Sequence, residues 1–80
     1  MLSKLSESPK VVGAKQTKRA IAGGKAVAVY LADDADPCVT EVIRDLCAES
    51  GVAVYDVPAM KELGLACGIA VGAAVAALIR

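Results

Sequence analysis

The sequence predicts an α/β fold, a three-layer α/β/α sandwich built on a central four-stranded mixed sheet in the order βαβαβαβ. Two observations carry this prediction. Apolar, β-rich runs alternate with segments whose apolar residues recur at helical spacing, and glycine or proline stands at most junctions between them. Such alternation is typical of a largely parallel sheet that is covered by helices.

In the first half of the chain, a basic helix is predicted between two strands, one before it and one after it. The pattern predicts a short helix at residues 2–6 and a short strand at residues 10–13. A helix is then expected from Ala14 to Ile21 or Ala22, ended by the pair Gly23-Gly24, because glycine adopts the left-handed cap conformation at little cost. Residues 26–32 are apolar throughout, as expected of a central strand that is buried on both faces.

The next helix has clear start and stop signals. Asp36 is suited to the N-cap and Pro37 to the first helical position, where its missing N–H costs nothing. Gly51 is expected to end the helix. Between these points apolar residues repeat at helical spacing; they are Val39, Val42, Ile43, Leu46 and Cys47.

The remaining elements complete the alternation. A strand is predicted at residues 52–57, and Pro58 is expected to open the third helix. Residues 68–72 are predicted to form a loop that leads into the last strand, residues 73–79. Because this final connection is short, the last strand is expected to run against its neighbours, which makes the sheet mixed.

Length and composition indicate one domain that spans residues 1–80, with a core rich in small residues, since hydrophobic residues make up 56% of the chain and many of them are Ala or Val. No signal peptide is expected at the N-terminus. The most apolar stretch, residues 69–79, is far shorter than the roughly 20 residues of a membrane span. We therefore expect a buried strand there and a cytoplasmic protein that does not bind membranes.

The cysteines predict neither a metal site nor a disulfide framework. Cys38, Cys47 and Cys67 are odd in number, lack C-x-x-C spacing and stand in a chain without histidine, so a zinc site is not expected. Cys47 and Cys67 are expected to be buried free thiols, which suits a reducing cytosol.

The cluster of aspartates and the Gly-Gly-Lys segment match neither a calcium-binding loop nor a phosphate-binding loop. Asp36 is expected to cap a helix and Asp33 and Asp34 to be solvated, since a calcium loop needs a longer ligand pattern and a terminal Glu. The segment 23–25 (GGK) lacks the first Gly and the Ser or Thr of a phosphate loop. No nucleophile with a paired base is visible. We expect no catalytic residues, cofactor or small-molecule substrate.

The net charge of zero hides two oppositely charged segments. Residues 1–25 carry six basic side chains against Glu7 alone, a net charge of +5. Residues 26–80 carry three basic side chains against eight acidic ones, a net charge of −5. A concentrated basic segment is a candidate site for a polyanion, although a solvated lysine-rich face is the commoner explanation.

Helical spacing separates the basic residues from the apolar ones. With about 100° between successive residues, Thr17, Ala20 and Ile21 share one face of the first long helix. The polar side chains that project away from this face are Lys15, Gln16, Lys18 and Arg19. Cations in a first turn oppose the helix dipole, so their presence there favours a ligand-binding role.

The residue types fit folded RNA. Lysine and arginine donate to phosphates and to the O6/N7 edge of guanine, and a glutamine amide both donates to and accepts from a base edge. Regular A-form RNA hides these edges, so the helix needs a non-helical or sharply bent target. Tyr30 and Tyr55 lie in apolar strands and are expected in or beside the core, which disfavours a single-strand stacking platform.

Three blocks of the chain resemble a known family. Residues 13–20 (GAKQTKRA), 32–37 (ADDADP) and 57–69 (VPAMKELGLACGI) are similar to the signature blocks of the L seven-Ae (L7Ae) ribosomal protein family. The resemblance is strongest to its small bacterial members, the YbxF-like proteins, and extends over residues 10–79. It implies a protein that binds kink-turn RNA, in which tandem sheared G·A pairs lie beside a bulge.

The resemblance also implies which residues contact the RNA. The first block would lie in the major groove at the G·A pairs, and the loop Ile69-Ala70-Val71 would cover the bulged nucleotides. Two departures stand out: Arg19 replaces the usual Lys, and Ala70 replaces a frequent Glu. The complete set of expected RNA-binding residues is Gly13, Lys15, Gln16, Lys18, Arg19, Lys25, Lys61, Ile69, Ala70 and Val71.

Two alternatives stay open at this point. Ile69 and Val71 fit an ordinary core as well as they fit an RNA-binding loop. The basic segment also fits a protein-interaction module that meets an acidic partner. For the RNA-binding hypothesis, the expected partner is a kink-turn in ribosomal RNA or in an mRNA leader.

Overall fold

A computed structural model describes residues 9–69 and 71–80, which form seven elements in the predicted order. The helix predicted at residues 2–6 and the site residue Ala70 lie outside the described residues. The elements are β1 (Lys10–Val12), α1 (Ala14–Ala22), β2 (Ala26–Ala32), α2 (Pro37–Ser50), β3 (Ala53–Val57), α3 (Met60–Ala66) and β4 (Val75–Ile79).

The four strands form one mixed sheet in the order β1-β4-β2-β3. Strand β2 pairs in parallel with β3, with Val29 opposite Val54. Strand β4 runs antiparallel to both of its neighbours, placing Ala77 opposite Val29 on β2 and opposite Val11 on β1. The mixed sheet, the interior position of β2 and the reversed direction of the last strand were all predicted correctly.

Alternation along the interior strands divides the core into two layers. On β4, Val75 and Ala77 face one side of the sheet, whereas Ala76 and Leu78 face the other. The first side is covered by α1 and α2, whose buried residues there include Ile21 and Ile43. The second side is covered by α3 through Leu63, so the predicted α/β/α sandwich is confirmed.

The predicted helix ends are largely confirmed. A side-chain oxygen of Asp36 accepts a hydrogen bond from the Cys38 amide at 2.9 Å, and Gly51 ends α2 in the left-handed conformation at φ 70°. Helix α3, however, begins at Met60 and not at Pro58, because Ala59 is still extended at φ −143°. The last strand likewise begins at Val75, two residues later than predicted.

Strand β2 departs from the predicted burial at one residue. Val27 is 53% exposed, although the apolar run predicted burial on both faces. Pairing with β4 skips this residue: Ala26 lies opposite Ile79, whereas Ala28 lies opposite Leu78. This β-bulge turns Val27 out of the sheet and places Ala26 in the same core layer as α1.

Candidate nucleic-acid interface

One edge of the sheet brings together the segments that carry most of the expected RNA-binding residues. Strands β1, β2 and β3 all run in one direction, so their carboxyl ends and the start of β4 lie at the same edge. Backbone hydrogen bonds connect these ends: the Gly13 amide donates to the Val75 carbonyl at 2.8 Å and the Ala32 amide to the Ala74 carbonyl at 2.9 Å. The starts of α1 and α3 and the loop before β4 therefore share this edge.

Helix α1 presents its basic side chains to solvent. Gly13 precedes it at φ 102°, a conformation that favours glycine, and no side chain caps the first turn. The residues Thr17, Ala20 and Ile21 are buried, as the helical spacing predicts. On the opposite face, all four polar residues are exposed; they are Lys15, Gln16, Lys18 and Arg19.

The exposed cations of α1 are not neutralised by neighbours. No described residue forms a salt bridge with Lys15, Lys18 or Arg19, and α1 has no acidic residue in its first turn. The salt bridge found in the described part of the chain joins Arg44 to Asp56 at 2.6 Å, and this hydrogen bond raises the pKa of Arg44. The basic face of α1 is therefore available to an external anion.

A shallow groove of about 310 Å³ runs beside α1 and extends the basic surface. Its polar lining comes from Gln16, Arg19 and Lys25, and its floor includes Val11 and Ile79. Lys25 stands at the carboxyl end of α1, where its backbone amide donates to the Ala20 carbonyl at 2.9 Å. It therefore lies at the opposite end of the helix from Gly13, but within the same groove as Gln16 and Arg19.

Residues 71–73, in the loop before β4, pack against α3. A Cβ on Gly64 would overlap the carbonyl oxygen of Val71, and one on Gly72 would lie 3.1 Å from the Cβ of Met60. The Ala73 amide donates to the Met60 carbonyl at 3.0 Å, which ties the end of the loop to the first residue of the helix. Backbone contacts thus hold residues 71–73 in place.

The two described apolar residues of the predicted loop differ in exposure. Ile69 is half-buried and packs against the core layer beneath α3. Val71 is 70% exposed and therefore is not a core residue. Lys61, the second residue of α3, is also exposed at this edge. The edge therefore combines an exposed apolar side chain with basic ones.

The tyrosines do not form an exposed stacking platform. Tyr30 is buried, and its ring stacks on that of the half-buried Tyr55 with 5.3 Å between centroids and 28° between planes. Burial raises the pKa of the Tyr30 hydroxyl. Cys47 and Cys67 are buried free thiols, as predicted, and their burial raises the pKa of each thiol.

One contact at this edge was not predicted from the sequence. Asp34 is exposed, as expected, and its carboxylate also accepts a hydrogen bond from the Met60 amide at 2.7 Å. The two residues are 26 positions apart, and no local motif announces the contact. Only the proximity of the β2 and β3 ends in the folded sheet could reveal it.

Within residues 9–69 and 71–80, no three His, Cys, Asp or Glu side chains are grouped closely enough to hold a metal ion. Over the same ranges, no helix has the length and apolar character needed to cross a bilayer.

Comparisons with known proteins agree with this architecture. RNA-binding proteins of Geobacillus sp. (strain WCH70) and Geobacillus stearothermophilus, the latter named YbxF, are 50% and 46% identical over 70 residues, covering 88% of this chain and 85% of each relative. The structure of a Giardia lamblia 15.5kD RNA binding protein matches with a TM-score of 0.93 at 26% identity, covering 99% of this chain and 70% of that one. The model of the Ribosomal protein L7Ae/L30e/S12e/Gadd45 family matches residues 2–80, and the chain belongs to that family.

Proposed function

We propose that this protein binds RNA, and specifically kink-turn RNA, through the edge of the sheet where α1, α3 and the loop before β4 meet. The observation that carries the proposal is the exposed, unpaired basic face of α1 at the same edge as the exposed Val71. Membership of the family and the RNA-binding names of its relatives support this function over an enzymatic one.

The start of α1 would read the G·A pairs. Lys15 and Gln16 stand in the first turn, where unpaired backbone N–H groups and the helix dipole also favour an anion. Their side chains match the acceptors on guanine edges. Since Gly13 has no side chain, the RNA can approach the backbone closely at this point.

The rest of the basic surface would hold the phosphate backbone. Lys18 and Arg19 lie one turn further along α1, and the groove continues from Gln16 and Arg19 to Lys25. Lys61 supplies a further charge from α3, beside the loop. Such contacts add affinity that does not depend on the base sequence but depends strongly on salt.

The loop before β4 would recognise the shape of the kink. Val71 offers an exposed apolar surface on which an unstacked base can rest, while the half-buried Ile69 anchors the loop on the core. Because backbone contacts with α3 fix this segment, the RNA meets a preformed surface. We propose a cytoplasmic location and a kink-turn in ribosomal RNA or an mRNA leader as the target.

A titration with two RNA duplexes tests this function. One duplex contains a kink-turn, and the other has the same stems joined without the bulge and the sheared pairs. We expect tight binding to the kinked duplex and weak, strongly salt-dependent binding to the straight one. Equal affinity for both would refute kink-turn recognition. Retention on an acidic protein with no preference for RNA would support the protein-interaction alternative instead.

A further inference from the structure

The carboxylate of Asp34 caps the start of α3, which lies far from Asp34 in the chain. Asp34 follows β2, and its Oδ1 accepts the amide of Met60, the first residue of α3, at 2.7 Å. Ala59, at the N-cap of α3, has no side-chain oxygen and provides no cap. A residue from the β2–α2 connection therefore performs the capping.

Met60 passes this constraint on to the loop before β4. The Met60 carbonyl oxygen accepts a hydrogen bond from the Ala73 amide at 3.0 Å. Gly72 packs closely against Met60, since a Cβ added to Gly72 would lie 3.1 Å from the Met60 Cβ. Asp34 holds Met60 by its amide, and Met60 holds the loop by its carbonyl and side chain. Hydrogen bonds and packing contacts thus link Asp34, through Met60, to residues 71–73.

We propose that Asp34 is a positioning residue for RNA recognition, which fixes the start of α3 and, through Met60, the loop that carries Val71. This inference rests on the proposed function. Val71 itself is 70% exposed, so its side chain has little packing of its own to hold it. Its place relative to α1 depends on the backbone around it, and a carboxylate-to-amide hydrogen bond is among the stronger polar contacts available.

Positioning and simple capping predict different results. Loss of a cap lowers stability and leaves the RNA preference of the folded protein unchanged. Loss of positioning also weakens binding to the kinked duplex, because the loop must then be ordered at the moment of binding. The straight duplex, which does not use the loop, reports whether the basic surface is intact.

Three variants separate these effects. Asp34→Ala removes the acceptor, whereas Asp34→Asn removes the charge but keeps the Oδ1 acceptor for the Met60 amide. Asp33→Ala is the matched control, since Asp33 is the exposed neighbour and its removal changes the net charge equally. Each variant is titrated with the kinked and the straight duplex, and hydrogen exchange is measured at the Met60 and Ala73 amides.

We expect Asp34→Ala to raise the Kd for the kinked duplex about tenfold, as the loss of one charge-assisted hydrogen bond implies. Its Kd for the straight duplex should match that of Asp33→Ala, and exchange at Met60 and Ala73 should accelerate. Asp34→Asn should recover most of the affinity, and Asp33→Ala should retain the preference for the kinked duplex.

The outcomes that overturn the inference are distinct from those that overturn the proposed function. An Asp34→Ala protein that is less stable but keeps the full preference for the kinked duplex would show that Asp34 is a cap and nothing more. Equal losses in Asp34→Ala and Asp33→Ala would show that the loss does not depend on the hydrogen bond from Met60 to Asp34. If the unaltered protein does not prefer the kinked duplex, the proposed function fails and the inference fails with it.

Discussion

At the scale of single residues, burial and exposure alternate along α1 so that one face anchors the helix and the other is free for a ligand. Thr17 is fully buried between the exposed Gln16 and Lys18, and its hydroxyl has no hydrogen-bond partner among the described residues. The anchored face makes the direction of the basic side chains predictable. Substitutions on the exposed face are therefore expected to change binding with little effect on folding.

Lys15 and Lys18 are expected to differ in their effects on binding. Lys15→Ala should cost about 1–3 kcal/mol on the kinked duplex and reduce discrimination, because it removes a contact to a base edge. Lys18→Ala should weaken binding to both duplexes more evenly and flatten the slope of log K against log salt by about one unit, because it removes a phosphate contact. Titrations over a range of salt measure both effects. Unchanged affinities in both variants would exclude α1 as the reading element.

Val71→Asp tests the apolar surface of the loop. A negative charge at this position would face the RNA phosphates, so binding to the kinked duplex should be lost. The thermal midpoint should stay within a few degrees, since Val71 is 70% exposed and makes no core contact that the change would break. Val42→Asp is the control, because Val42 is 45% exposed but lies on α2. Survival of binding in the Val71 variant would exclude the loop from the site.

At the scale of elements, the backbone of α3 at Gly64 and the backbone of the loop at Val71 lie in close contact. Gly64 is buried within α3, where glycine weakens a helix, yet a side chain there would overlap the Val71 carbonyl. The cost in helix propensity is therefore offset by a contact that only glycine permits. The loop can lie flat on the helix for this reason.

Gly64→Ala is expected to disturb both stability and recognition. The added methyl group must push the Val71 carbonyl away, and overpacking of this kind costs about 1–3 kcal/mol. Gly24→Ala is the control: Gly24 has a φ of 70° and open space around it, so its cost of about 1 kcal/mol is backbone strain far from the loop. Urea unfolding should show both losses. Only Gly64→Ala should reduce the preference for the kinked duplex, and equal preferences would contradict the role of this contact.

At the scale of the whole molecule, charge is segregated between neighbouring helices. Helices α1 and α2 cover the same face of the sheet. The exposed side of α1 is basic, whereas α2 exposes an acidic stripe at four-residue spacing formed by Glu41, Asp45 and Glu49. The stripe repels phosphates from the flank of the protein, so the field of the molecule favours approach of RNA from the α1 side.

Neutralising the acidic stripe should therefore weaken discrimination. The triple change Glu41→Gln, Asp45→Asn and Glu49→Gln is expected to raise affinity for the straight duplex by about threefold at low salt, because non-specific approaches become less unfavourable. Affinity for the kinked duplex, which is set by contacts at α1 and the loop, should change less. The difference should disappear at high salt, where exposed charges are screened. An unchanged affinity at low salt would contradict this orienting role.

The sequence by itself determined the local features of the protein. Strand β2 was predicted at residues 26–32, the Asp36 cap and the Gly51 stop were placed correctly, and the polar face of α1 followed from helical spacing. Each of these features depends on residues a few positions apart, whose geometry is set by backbone conformation and by the period of the helix or strand. The three signature blocks likewise identified the family, which the comparisons confirm.

Only the tertiary structure decided features that depend on which strands become neighbours. The bulge that exposes Val27 and the hydrogen bond from the Met60 amide to Asp34 arise between segments far apart in the chain, whereas the exposure of Val71 accompanies the packing of its backbone on α3. The sequence pattern could not show whether Val71 is buried or exposed, because an apolar, β-branched residue fits either position. The physical reason is that burial and partners outside a single element are set by the sheet order, and the local pattern of residues does not encode that order.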